Sequence, residues 1–211
     1  MFIELVDALR CPVPHEESWL VASATRMEAR HIVDGTLGCP ICHAEYPVKS
    51  GVVDFRREPT APRTSGDAPA RDGTEAMRLA AFLGLADAVG FAVLLDDWGA
   101  HASALRELVE TPLILVDPPA GVEGEPGISV LLSDGPIPLA NGAARGTAIH
   151  GRATQRAMDA VRITRSGGRV LAPASVALPA GVRELARDVS LWVGEKEPDP
   201  SPLVTLHVRR G

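Results

Sequence analysis

Three cysteines occur in the chain, and all of them fall in two short runs near its start: Leu9-Arg10-Cys11-Pro12-Val13-Pro14-His15 and Gly38-Cys39-Pro40-Ile41-Cys42. Cys39 and Cys42 form a C-x-x-C pair, and Cys11 and His15 form a second pair with three residues between them. About two dozen residues separate the pairs, enough for a hairpin that folds back and brings them together. Zinc takes four tetrahedral sulfur or nitrogen ligands, and structural sites fill all four. Three thiolates and one imidazole meet that requirement, so the sequence predicts a zinc centre at Cys11, His15, Cys39 and Cys42. Proline follows both Cys11 and Cys39, which fits two similar tight turns. His43, Glu16 and Glu17 compete for the fourth position. His15 is preferred because a residue adjacent to Cys42 has to reach the same ion from a strained backbone. The bland alternative is three incidental thiols.

Downstream of the second run the chain reads Ala44-Glu45-Tyr46-Pro47-Val48 and then Gly51-Val52-Val53-Asp54-Phe55. With Gly35-Thr36-Leu37-Gly38 before Cys39, this resembles the small zinc-ribbon proteins that bind and activate RNA and protein methyltransferases, and their short bacterial relatives. The resemblance covers about a quarter of the chain. It departs at the first knuckle, where those proteins usually carry a second cysteine and this chain has His15. It implies a protein partner reached through the ribbon. A ribbon of this size has little core and depends on its metal to fold. Trp19-Leu20-Val21-Ala22 and His31-Ile32-Val33 suit two strands of its hairpin. The stretch from Ser23 to Arg30 reads as a long turn or a brief helix, and Trp19 as a packing residue over the metal site.

Composition narrows the classes. No stretch approaches the continuous apolar length of a membrane helix, and no basic region followed by an apolar core opens the chain. Reduced cysteines arranged as ligands fit a cytoplasmic protein. The net charge is −6, with the acidic excess in residues 1–55 and 74–211. No basic stripe is visible, which argues against direct nucleic-acid binding. Residues 56–73 hold Pro59, Pro62 and Pro69 among small polar residues with no apolar periodicity, and read as a flexible linker. The expected organisation is therefore a zinc ribbon at 1–55, a linker at 56–73 and a second domain at 74–211.

That second domain alternates between two periods. Thr74–Leu83 has helical spacing behind a threonine cap. Phe91–Leu95, Leu113–Val116, Ile128–Leu132, Thr147–His150 and Arg169–Ala172 read as strands. His101–Val109, Thr154–Thr164 and Gly181–Arg187 read as helices, with Gly167-Gly168 as a helix stop. Val189–Val193 and Leu203–Val208 are expected to pair as a closing antiparallel hairpin. Strands alternating with helices predict an α/β fold with a parallel sheet, and such sheets bind ligands beyond the carboxyl ends of their strands. Asp96, Asp117 and Asp134 all stand at those ends, and three in succession suggest one crevice.

Ile137-Pro138-Leu139-Ala140-Asn141-Gly142 and Ala160-Val161-Arg162-Ile163-Thr164-Arg165-Ser166-Gly167-Gly168-Arg169-Val170 make this half resemble class I S-adenosylmethionine-dependent methyltransferases. The resemblance implies a Rossmann-like, methyltransferase-type sheet. It implies that Asp117 holds the ribose hydroxyls of the cofactor, that Asp134 lies near the adenine amine, and that Asp96 and Gly99 belong to the loop at the methionine end. That loop departs from the family: in place of an acidic residue followed by G-x-G-x-G stands Asp96-Asp97-Trp98-Gly99-Ala100-His101. The family's Asn-Pro-Pro-Tyr-like catalytic loop is replaced by Ile149-His150-Gly151. The sequence therefore predicts weak or absent binding of S-adenosylmethionine (SAM), and a zinc-binding, non-catalytic binding or assembly module. The alternative is an active methyltransferase carrying its own ribbon activator, with His150 or His101 as base.

Overall fold

The hairpin that carries the two knuckles is longer than its apolar pattern suggests. In the computed structural model, which describes residues 1–58, 73–87 and 89–198, strand β1 (Val21–Glu28) runs straight through the stretch expected to be a turn or helix. It pairs antiparallel with β2 (His31–Gly38), and the chain reverses at Ala29-Arg30. The outward face of β1 is almost wholly exposed. Backbone pairing holds this strand, and burial leaves no alternation in its sequence to read. Strands β3 (Glu45–Lys49) and β4 (Val52–Asp54) complete the ribbon as an antiparallel meander.

In the second half α1 (Gly73–Leu83) leads to β5 (Ala92–Leu95), and a 3-10 turn at Asp96–His101 leads into α2 (Ala102–Leu108). Strands β6 (Leu113–Val116), β7 (Ile128–Leu132) and β8 (Ala144–Ala148) follow, then α3 (Ala157–Ile163) and β9 (Thr164–Pro173). The strands β5 to β8 are buried along their whole length, as strands of a parallel sheet covered on both faces should be, and β8 achieves this with Arg145 and Thr147 among its buried residues. The helix before β9 ends at Ile163, before Gly167-Gly168, and the two glycines lie inside β9 itself. A β-carbon at Gly168 would stand 2.7 Å from the carbonyl oxygen of Arg145, so the glycine serves close strand contact and does not stop a helix.

The closing segment also differs. Val182–Arg187, expected as a helix, is strand β10, and it pairs antiparallel with β11 (Leu191–Lys196). Its Arg-Glu-Leu-Ala-Arg run favours helix intrinsically, but the ladder overrides so short a preference. The Asp188 carboxylate accepts from the backbone N–H groups of Ser190 and Leu191 and from the Ser190 hydroxyl, which fixes the turn. The antiparallel hairpin thus exists with β10 as partner. The expected strand at 203–208 lies outside the described residues, as does most of the linker expected at 56–73.

All of the strands among the described residues belong to one eleven-stranded sheet, in the order β1-β2-β3-β4-β7-β6-β5-β8-β9-β11-β10. Counted within the second half alone, the order is third, second, first, fourth, fifth, seventh, sixth, with the seventh reversed. This is the Rossmann-like, methyltransferase-type arrangement. The ribbon extends it: β4 pairs in parallel with β7, Val53 opposite Leu131, and the Phe55 N–H donates to the Leu132 carbonyl at 2.8 Å.

The two faces of the sheet carry different cores, following the period-2 alternation of the strands. One face is packed by α1 and α2: Leu79, Leu83 and Leu105 meet Leu94, Leu115 and Val130. The other face belongs in large part to the ribbon. No helix joins β6 to β7, and the apolar side chains of Met1, Leu5 and Leu9 share a core with Val93, Leu95, Ile114, Val116 and Leu131. Backbone hydrogen bonds pin this leading segment, Arg10 N–H to Pro138 O at 3.0 Å and Ala140 N–H to Ala8 O at 2.8 Å. The described parts on either side of 59–72 thus share a sheet and a hydrophobic core. Among the described residues, no helix is long and apolar enough to cross a membrane.

Candidate functional site

The loop before β1 and the turn after β2 meet at the end of the hairpin. Their ligand atoms, from Cys11, His15, Cys39 and Cys42, all lie within 4.8 Å of one another. The sulfurs of Cys11 and Cys42 are 3.7 Å apart, and the Cys39 sulfur is 3.5 Å from Nε2 of His15. Bonds of about 2.3 Å to sulfur and 2.0–2.1 Å to nitrogen in a tetrahedron place two sulfurs roughly 3.8 Å apart, and a sulfur and a nitrogen roughly 3.6 Å apart. The donor set and its spacing fit zinc.

The surroundings prepare each ligand. The turn after Cys39 closes with the His43 N–H on the Cys39 carbonyl at 3.0 Å. His43 takes a left-handed conformation there, with φ of 58°, and its side chain is exposed, away from the cluster. Nδ1 of His15 lies 2.5 Å from the carbonyl oxygen of Glu16. A carbonyl only accepts, so Nδ1 carries the proton and the lone pair of Nε2 faces the thiols, the tautomer a metal requires. The carboxylate of Glu17 is occupied with Arg10 at 3.5 Å. Geometry therefore brings His15, and not its sequence competitors, to the three sulfurs. Burial alone raises the Cys39 thiol, but the N–H groups of Cys42 and Ile41 stabilise its anion and bring it down to about 6. Burial pushes the Cys11 thiol up to about 11, against hydrogen bonds from Tyr46 and Val13. Trp19, expected to pack over the metal site, is half exposed and lies against the Arg10 guanidinium, whose Cζ is 3.3 Å from its ring centre.

The second cluster stands at the carboxyl ends of the parallel strands, where the sequence placed Asp96, Gly99, Asp117 and Asp134. The structure brings these residues to the same end of the sheet and gives them partners within the chain. Asp117 follows β6 in a left-handed conformation, φ 51°. One of its carboxylate oxygens accepts from the Ser133 N–H at 2.8 Å and the other from Nη1 of Arg156 at 2.7 Å. Burial raises its pKa in spite of both donors, with the nearby Asp96 carboxylate adding to the rise. Asp134 is exposed and accepts from the Arg57 N–H at 3.2 Å. Asp96, also left-handed at φ 53°, is buried. A β-carbon at Gly151 would sit 2.9 Å from a carboxylate oxygen of Asp96 and 2.9 Å from one of Asp97, so these two acids converge on the turn after β8. Asp97 in turn holds Nδ1 of His150 at 3.0 Å.

Gly99 is the telling residue. A β-carbon there would stand 2.5 Å from Cβ of Pro118. The glycine that the family resemblance assigns to cofactor approach here admits a proline of its own chain. Trp98 is turned inward: its ring is buried in the α1–α2 core, its indole N–H donates to the Ile149 carbonyl at 3.1 Å, and the His150 ring packs edge-on at 5.3 Å. Both oxygens of Asp117 thus accept from donors of the chain itself, each with a further lone pair left over, and Pro118 lies against Gly99 on the side where a β-carbon would stand. One consequence is measurable without any ligand. Gly99→Ala should destabilise the protein by about 1–3 kcal/mol through overpacking against Pro118, a fall in melting temperature of roughly 2–10 °C. An unchanged melting temperature would mean that the space beside Gly99 is open.

Sequence reasoning missed Arg156, Pro118 and Tyr46. Arg156 lies in a 3-10 turn with no motif around it, and only the fold carries it to Asp117. Tyr46 stood inside the ribbon motif, but nothing in one dimension aims its hydroxyl at Cys11.

No known family profile matches the chain, and no curated protein does. Solved structures with a similar course include a protein of Corynebacterium glutamicum, 16% identical over 63% of this chain and 84% of that one, with a TM-score of 0.44. Another is a protein of Sulfolobus solfataricus described as a type 11 methyltransferase, 14% identical over 65% of this chain and 100% of that one, with a TM-score of 0.40. A third is the 16S rRNA N2 methyltransferase RsmC of T. thermophilus, in complex with AdoMet and guanosine. It is 16% identical over 82% of this chain and 47% of that one, with a TM-score of 0.39. Likenesses this distant add no weight to a site; strand order carries the fold.

Proposed function

We propose that this protein is a zinc-stabilised, methyltransferase-like scaffold that acts as a non-catalytic binding or assembly module. The observation that carries the reading is that groups of the crevice are engaged by their own chain: both carboxylate oxygens of Asp117 accept from Ser133 and Arg156, and Pro118 lies against Gly99. Cys11, His15, Cys39 and Cys42 hold the zinc, which fixes the ribbon and does no chemistry, because four protein ligands leave no open position. Docking of β4 on β7 supports a ribbon that serves its own sheet first. The surface left for a protein partner is then the outer ribbon, where β1 forms the sheet edge and Val21 and Met27 are exposed.

Titration calorimetry of the metal-loaded protein with SAM, and separately with adenosine, tests this. The expected result is no heat with SAM at millimolar concentration. Micromolar binding of SAM that disappears in Asp117→Ala would overturn the reading and establish an enzyme-type site.

A further inference from the structure

Three thiolates and one neutral imidazole around a divalent ion leave a net negative charge, spread over the sulfurs. N–H and O–H groups aimed at those sulfurs carry part of it. Cys39 draws such donors from its own turn, the N–H groups of Ile41 and Cys42. Cys11 is different. Beside the Val13 N–H, its sulfur has the hydroxyl of Tyr46 at 3.3 Å, from a residue far along the chain on β3.

The delivery of that hydroxyl is built into the fold. Tyr46 is 7% exposed, and its ring packs against Phe55 with ring centres 4.7 Å apart. Phe55 is in turn tied to β7 through its N–H on the Leu132 carbonyl at 2.8 Å. Turning Tyr46 away from Cys11 would break its packing on Phe55, the residue tied to β7. Its hydroxyl has one proton to give, and a metal-bound thiolate is an acceptor only.

We infer that Tyr46 is a positioning residue of the metal centre: its hydroxyl donates to the Cys11 thiolate, orients that sulfur toward the ion and slows loss of the metal. This rests on the reading of the four side chains as a metal centre. Outer-shell donors of this kind are commonly worth ten- to a hundredfold in metal affinity. Phenylalanine at this position keeps the ring and its packing on Phe55 and removes only the donor.

The test uses the full chain loaded with cobalt(II) and with zinc. In Tyr46→Phe the sulfur-to-cobalt charge-transfer band should move to lower energy, because an unbonded thiolate is easier to oxidise. Transfer of zinc to a chromophoric chelator should be about tenfold faster. An unmoved band and an unchanged transfer rate, in a variant that folds, would overturn the role of Tyr46 alone. A native protein that takes up neither metal would overturn the metal reading together with it. Should the variant fail to fold, the native protein answers by itself. It has one tyrosine, so in the cadmium-113 form a single phenolic proton should show scalar coupling to the metal. Its absence, with that proton exchanging at the rate of an exposed hydroxyl, would overturn the inference.

Discussion

Stripping zinc from the intact protein will unfold ribbon and sheet together, in one transition. A ribbon on a flexible tether would melt alone and leave the second domain standing. The structure removes that independence, because Leu5, Leu9, Leu37 and Tyr46 belong to the same core as Val93, Ile114 and Leu131, and β4 is a strand of the common sheet. Metal binding energy is folding energy where the apo site is not preformed, with apparent values of roughly 10–16 kcal/mol in zinc-finger peptides. Whole domains are stable by only about 5–15 kcal/mol. Even a part of the metal term, transmitted through the shared core, lowers the melting temperature by at least roughly 10 °C. Cys39→Ser should act in the same direction, since it removes a ligand that is buried and held by its own turn. Scanning calorimetry with and without a strong chelator reads this directly. Two separated transitions, the upper one indifferent to the chelator, would show that the halves are energetically independent after all.

Trp98→Gly will destabilise the protein severely and will not open a cofactor site. In the sequence the indole looks like an obstruction standing where related loops have glycine, and its removal looks like a repair. In the structure it is a core side chain with 6% of its surface exposed, in the cluster that includes Leu79, Leu94 and Leu105, and its N–H is spent on Ile149. Large aromatic-to-small changes in a core cost about 3–5 kcal/mol, and glycine adds roughly 0.5–1 kcal/mol of backbone entropy. A fall of roughly 7–20 °C in melting temperature follows, with the Ile149 carbonyl left unpaired. Thermal denaturation followed by circular dichroism measures the loss, and calorimetry of the folded variant with SAM measures any gain. A variant of native stability that binds the cofactor would restore the view of Trp98 as a plug.

Much of the Cys/His cluster was legible in one dimension. Cysteine and histidine spacing is dictated by the reach of two short turns, and few other arrangements use such residues. The strands β5, β6 and β7 were equally plain, because strands buried on both faces tend to near-continuous apolar runs, and Ala92–Leu95, Leu113–Val116 and, but for Ser129, Ile128–Leu132 are such runs. The fourth strand, expected at Thr147–His150, is β8 at Ala144–Ala148, where buried Arg145 and Thr147 hide the pattern; the other strands misread, β1 beyond Ala22 and β10, are edge strands with exposed side chains. Their conformation is fixed by backbone hydrogen bonds to a neighbour, which leave no mark on side-chain periodicity.

The sequence by itself determined which atoms a metal would meet and that a parallel sheet would follow, since both depend on residue type at short range. Tertiary structure alone decided that the ribbon shares the sheet of the second half, through a three-residue strand, β4, whose pairing with β7 no local pattern announces. It also decided what the family-like positions do. Asp117 and Gly99 kept their places at the strand ends, but their partners, Arg156 and Pro118, arrive by folding. The neighbours of a carboxylate and the space beside a glycine are set by segments distant in sequence, so neither can be read from the residue itself.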